Sequence, residues 1–150
     1  MHRIFFSTLF TIALLFIVGC NSDNDDPASQ SGKVIFPDKV YQNITWSEEE
    51  LNKNIAIRHL YASEYSSALL IRLKGDEIPH YYDYHDLTVT AISGKHTLHF
   101  TDHNVSLEPG DVAFIPKGTL HWAENNDPVA STVFAVFSPA YTGDDRHDVE

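Results

Sequence analysis

Hydrophobic positions fall into three regimes along the chain. Residues Ile4 to Val18 form an almost unbroken apolar run. Residues 21–32 (NSDNDDPASQSG) carry no large apolar side chain at all. From Lys33 onward, short apolar stretches alternate with turn-forming residues. Runs rich in β-branched and aromatic residues, bounded by Gly, Pro, Asn or Asp, are strand signals. They predict strands at Val34–Phe36, stopped by Pro37, and at Ile55–Tyr61, Ser66–Lys74, Leu87–Ser93 and Lys95–Thr101. Further strands are predicted at Val105–Leu107, Val112–Ile115, His121–Glu124 and Ala130–Phe137. Within Ser66–Lys74, Leu69, Ile71 and Leu73 fall on one face, as a period of two requires. The one helical signature is brief: Ser47 followed three places later by Glu50, the pattern of a capping box. There is no long amphipathic helix and no internal repeat. Short strands at this spacing predict an all-β sandwich or barrel. The tail from Ser138 to Arg146 is polar and turn-rich, and is expected to wrap the outside of the barrel.

The leading segment changes the picture of where the fold begins. Met1-His2-Arg3 gives a positive start, and the apolar run after it is short for a stable membrane span. This predicts a signal peptide. Its closing residues, Ile17-Val18-Gly19-Cys20, resemble the lipobox of bacterial lipoproteins. The resemblance implies cleavage before Cys20 and acylation at it. Residues 1–19 would then be a lipoprotein signal peptide, 20–32 a flexible tether and 33–150 the folded domain. An uncleaved membrane anchor is the competing reading. Cys20 is the only cysteine, so a disulfide within the chain is excluded. Asn21 after it, by resemblance to enterobacterial sorting, implies anchorage to the cell envelope at the periplasmic side of the outer membrane.

Charge removes other partners. The chain has 21 acidic and 10 basic side chains, a formal net charge of -11. That argues against nucleic acid or an anionic membrane surface as a partner. Membrane contact is expected only through the lipid anchor. The acidic run in the tether reads as solvated linker.

The most specific pattern is Gly110 to Asn125, GDVAFIPKGTLHWAEN. A turn feeds a short apolar strand, a second turn follows, and His121 lies just past it. The spacing is G-x5-P-x-G-x2-H-x3-N, carried by Gly110, Pro116, Gly118, His121 and Asn125. This segment is identified as the second signature motif of the cupin superfamily. The resemblance implies a double-stranded β-helix, or jelly-roll barrel, of the small single-domain cupin-2 type. It also implies that one divalent transition metal (Fe, Mn, Ni or Zn) is commonly held inside. The family's first motif is G-x5-H-x-H-x3,4-E-x6-G. Its counterpart here is Gly75 to Gly94, GDEIPHYYDYHDLTVTAISG. His80 stands at the first histidine place and Tyr82 at the second, while the glutamate place falls on Leu87 or Asp86.

Two nearby residues offer a replacement. His85 shares strand parity with Leu87, Val89 and Ala91, so it points inward if that face lines the barrel. His80, His85 and His121 would then form a three-histidine site with an open position. Asp86 has the opposite parity and would face out unless a bulge shifts the register. In small cupin domains of bacterial exported proteins, which the run from Ile55 to Arg146 resembles, a His-Asp pair also follows the first motif's histidines. On that resemblance Tyr82 replaces a ligand, as a phenolate or as a hydrogen-bond donor. His96, His99 and His103 lie on or beside a hairpin and read as exposed, with His99 lining the cavity as the alternative. Tyr81 and Tyr84 read as rim, and Trp122 as core or dimer interface. A histidine at a barrel mouth can also simply hydrogen-bond across the opening.

Three functional readings follow. The first is an envelope-anchored cupin lipoprotein whose barrel binds a divalent metal, a small molecule or both. The second is a metal-dependent enzyme of the dioxygenase or isomerase type. The third is a structural or interaction barrel, such as a homodimer, with a vestigial site. No Ser/His/Asp arrangement and no phosphate loop compete with these.

Overall fold

A computed structural model describes residues 32–41 and 44–150. Cys20 and the expected signal peptide lie outside the described residues. The elements in chain order are β1 (Val34–Ile35), β2 (Val40–Tyr41), α1 (Glu48–Asn52), β3 (Ile55–Ala62) and β4 (Ser67–Leu73). Then come β5 (His80–Tyr82), β6 (Asp86–Ser93), β7 (His96–Phe100), β8 (Asn104–Leu107) and β9 (Val112–Ile115). The last are β10 (His121–Asn125), β11 (Ser131–Ser138) and β12 (Arg146–Asp148). Every strand predicted from the sequence is present, its ends within one residue of those expected. The capping box also forms: Glu50 N–H donates to Ser47 Oγ, and Ser47 N–H to Glu50 Oε2.

Two five-stranded antiparallel sheets make the barrel. Their strand orders are β3-β4-β11-β6-β9 and β12-β5-β10-β7-β8. The inner faces follow from the alternation. Leu69, Leu87, Ala91, Ile115, Ala135 and Phe137 from the first sheet meet Tyr82, Leu98 and Leu107 from the second in one buried cluster. The outer face of the first sheet is also apolar at Leu70 and Ile92, and it is covered. The segment before β3, with Val34, Phe36, Tyr41, Ile44 and Trp46, packs over it.

The tail departs from the sequence expectation. β12 pairs antiparallel with β5, Arg146 opposite Tyr82 and Asp148 opposite His80. It is an edge strand of the second sheet rather than an outer wrap. Three residues are too few to show a hydrophobic period, so pairing, not pattern, creates β5 and β12.

Gly94, in the turn after β6, lies tightly against the start of the neighbouring strand β11. Its φ is +74°, and a Cβ there would lie 2.8 Å from Ser131 Cα. Gly118 has nearly the same φ, +75°, with nothing within 4 Å. The left-handed conformation alone costs an L-residue about 1–2 kcal/mol. Gly94→Ala adds a clash with backbone and is expected to lose roughly 2–3 kcal/mol. Urea titration of the two alanine variants checks this. Equal losses would show that the contact with Ser131 contributes nothing.

Candidate functional site: a histidine pair on the barrel's inner face

The site is assembled by register. His80 in β5 lies directly opposite His121 in β10, and opposite Asp148 in β12 on its other side. Cross-strand partners share a face, and residues two apart on one strand share it too. Thus His80, Tyr82, His121, Arg146 and Asp148 all fall on the inner face. Glu77 joins them from the loop before β5. Its N–H donates to the Ala123 carbonyl at 2.9 Å, and its Oε2 accepts from Ala123 N–H at 3.0 Å.

The two imidazoles are held alike. Nδ1–H of His80 donates to the Ile78 carbonyl and Nδ1–H of His121 to the Thr119 carbonyl, each at 2.8 Å. A carbonyl can only accept, so both rings carry their proton on Nδ1 and keep a lone pair on Nε2. The ring centroids are 4.5 Å apart, and the residues are only 2% and 3% exposed. Burial disfavours the charged form of each ring. It pushes His80 down to about 4, helped by the neighbouring His121 ring and the Arg146 guanidinium. It lowers His121 likewise. The pair is therefore neutral near pH 7 and presents two acceptors.

This has a consequence for stability. An unfolded histidine titrates near 6.5. Between that value and about 4, the unfolded chain binds a proton at His80 that the native state refuses. Stability therefore falls as pH drops through that window and is fully present above it. His80 alone accounts for roughly 3 kcal/mol across it. His80→Gln should give a shallower loss of urea stability between pH 7.5 and 4. An unchanged slope would rule out His80 as a contributor.

Around the pair the site mixes signs. Tyr82 stands edge-on to His80 at 5.3 Å and to Phe137 at 5.3 Å. Burial raises its pKa far above the ordinary tyrosine value, so it remains a neutral phenol. With no cation beside its oxygen other than Arg146 among the described residues, the phenol form suits the hydrogen-bonding role. Glu77 is raised by burial, which favours its protonated carboxyl. Arg146 Nε donates to Asp148 Oδ1 at 2.8 Å, and its guanidinium lies beside the Tyr82 hydroxyl.

The other sequence candidates lie elsewhere. His85 is buried, as its parity suggested, but it precedes β6 and both its ring nitrogens are engaged. Nδ1 meets Asp145 Oδ2 at 2.5 Å and Nε2 meets the Ala140 carbonyl at 3.0 Å. Asp86 accepts the Lys117 N–H at 3.0 Å, bracing the turn that precedes His121. His99 lies on the outer face, stacked on Trp122 at 4.8 Å and bonded to Glu124 and Asn104. Tyr81 is outside as well, stacked on His147. His96 is buried rather than exposed, and His103 is exposed beside Asp102.

A divalent metal is what cupin architecture implies here, and the donors can be compared with that. Two neutral imidazoles suit a metal. The expected third, His85, has no free ring nitrogen. A cationic guanidinium also stands on the same face. Among the described residues, no group of three His, Cys, Asp or Glu side chains is arranged to hold a metal ion. The residues do not fit a three-histidine centre. Sequence reasoning did not find Glu77, Asp145, Arg146 or Asp148 as site or partner residues. Only the parity of Arg146 and Asp148 with a strand at 146–148 would have signalled the last two, and no strand was legible there.

Comparison with known proteins agrees with this architecture. No family model matches the chain. An uncharacterized protein of Aquifex aeolicus (strain VF5) is 43% identical over 84 residues, spanning 56% of this chain and 69% of that one. A cupin-2 domain protein from Shewanella frigidimarina superposes with a TM-score of 0.52 at 20% identity, covering 57% of this chain and 81% of that one. Pac13 from Streptomyces, a nucleoside dehydratase, gives 0.57 at 15% identity, covering 73% and 92%. The protein therefore belongs to one family with the Aquifex protein, and its fold is the double-stranded β-helix barrel of the cupin structures it superposes on.

Proposed function

We propose that the barrel interior binds a small polyhydroxylated acid at His80, His121 and Arg146. One observation carries this reading: two buried imidazoles, each with Nε2 free to accept, stand on the same face as a guanidinium. Two acceptors call for hydroxyl donors, and the guanidinium calls for an anion. Neutral histidines avoid adding to the positive charge of Arg146. The test is a titration of the full chain with gluconate, with sorbitol as its uncharged match. Long-range imidazole NMR should show the Nε2 resonances of His80 and His121 shift with gluconate while those of His85 do not. A response only at His85, or an equal response to sorbitol, rejects the assignment. Metal analysis after loading with Zn²⁺, Fe²⁺, Mn²⁺ or Ni²⁺ is the second arm. A stoichiometric metal lost in His121→Ala would favour a metal centre instead.

A catalytic reading rests on Glu77. A carboxyl with a raised pKa and a neutral imidazole on one face can donate and accept a proton respectively. Elimination of water needs such a pair, and the likeness to a nucleoside dehydratase is in keeping with it.

We also propose that this domain works at the cell envelope, tethered through a lipid on Cys20. The support is the apolar run ending in Ile17-Val18-Gly19-Cys20 and the polar stretch after it. Cys20→Ala should move the protein out of the membrane fraction. Retention there would point to an uncleaved anchor.

A further inference from the structure

The outer face of the first sheet carries a second site. A cavity of about 420 Å³ lies between that face and the segment that covers it. This volume is within the range of small-molecule sites. Ile44, Trp46, Leu51 and Ile92 give it apolar walls, and Val129 is exposed at its edge. Arg72, Ser93 and Thr132 supply the polar part. The register explains why they meet. Thr132 is opposite Arg72 on one side and Ser93 on the other, so all three share the outer face.

Arg72 is the residue that asks for a ligand. It is only 5% exposed, and its Nη1 has no hydrogen-bond partner among the described residues. A buried charge is ordinarily paired. Its neighbour on the same face shows how this fold pairs one. Arg58 gives Nη2 to Glu50 at 2.7 Å and Nε to the same carboxylate at 3.3 Å, with Trp46 against its guanidinium at 4.6 Å. Arg72 has no such carboxylate among the described residues. Gln42 and Asn43, which lie outside the described residues, carry no charge. In a chain of net charge -11, a buried cation with no acid beside it among the described residues is a specific omission.

We propose that this cavity binds a small amphipathic carboxylate. The carboxylate meets the Arg72 guanidinium, whose planar fork matches it in two parallel hydrogen bonds. The hydroxyls of Thr132 and Ser93 can donate to the same oxygens. The apolar body lies against Trp46, Ile44 and Ile92. The site is separate from the histidine pair, since it occupies the opposite face of the β4-β11-β6 sheet.

Trp46 lines the cavity, so binding can be followed by its fluorescence. The full chain carrying Trp122→Phe, which leaves Trp46 as its single tryptophan, is titrated with hexanoate and with hexanol. Hexanoate should give a saturable change at a concentration at least tenfold lower than hexanol. Arg72→Met should abolish that preference, and Arg72→Lys, which keeps the charge without the fork, should weaken hexanoate about tenfold. His121→Ala should bind hexanoate as the parent does, so failure of the barrel reading leaves this result intact. Equal binding of hexanol overturns the proposal, as does full hexanoate affinity in either folded Arg72 variant. The chain's own acids are the other candidates for Arg72. If hexanoate binds only when Asp23, Asp25 and Asp26 are all changed to Asn, the cavity belongs to the tether and the proposal fails.

Discussion

Asp145→Ala should destabilise the protein by about 3–5 kcal/mol, because it leaves a buried histidine without its acid. Asp145 and His85 face each other with side chains only 3% and 4% exposed. Asp145 Oδ2 meets His85 Nδ1 at 2.5 Å and accepts the Tyr84 N–H at 3.0 Å. The Ala140 carbonyl can only accept, so Nε2 of His85 donates to it, and Nδ1 shares a hydrogen bond with Asp145. Removing the carboxylate leaves that ring among Tyr82, Phe137 and Tyr141 without its side-chain partner. Asp145→Asn keeps an acceptor oxygen and should lose less, about 1–3 kcal/mol. Denaturant titration of the two variants is the measurement. A loss below about 1 kcal/mol in Asp145→Ala, within the range of an ordinary hydrogen bond, would show that the pair does not hold the 83–85 turn to the tail. Gluconate binding should survive in Asp145→Asn, because His85 is a structural residue in this barrel.

His121→Ala should have the opposite profile: modest in stability, large in binding. Its Nε2 is one of two acceptors aimed at the proposed ligand, and it is buried. Truncating one member of a buried hydrogen-bonded pair at an interface costs at least about 2 kcal/mol, a factor of roughly 30 in affinity. Calorimetric titration with gluconate reads this directly. Arg146→Met should lose a similar factor for gluconate and little for sorbitol, since it removes charge recognition alone. If His121→Ala binds gluconate like the parent, the histidine pair is not the site. If Arg146→Met also leaves gluconate unaffected, the barrel reading has no support.

These residues also separate what a sequence can reveal from what only the fold can. Strands β4, β6 and β11 were legible because runs of seven or eight residues rich in β-branched and apolar side chains are bounded by turn residues. The second cupin motif was legible because a turn of fixed length places His121, and that placement survives in the structure. Strands β5 and β12 were not, because three residues have no period. Arg146 and Asp148 were hidden with β12. The parity argument for His85 extended β6 one residue beyond its start at Asp86. Burial came out as expected, but the direction of the ring did not follow. What decided it was Asp145, 60 residues away, and no local pattern carries that information. Arg72 was read within an apolar strand, yet only the fold shows that its face is covered.

The two signature motifs are also clipped together. Lys117 N–H is bound by Asp86 at 3.0 Å, and Gly118 N–H donates to the Tyr82 carbonyl at 2.7 Å. The turn that positions His121 thus rests on the segment that positions His80. Changing the length of either loop, or removing the Asp86 carboxylate, would shift one imidazole against the other. For anyone re-engineering this barrel, its chemistry is open to substitution at Tyr82, Glu77 or Arg146, but the spans between His80 and Asp86 and between Pro116 and His121 set a fixed gauge.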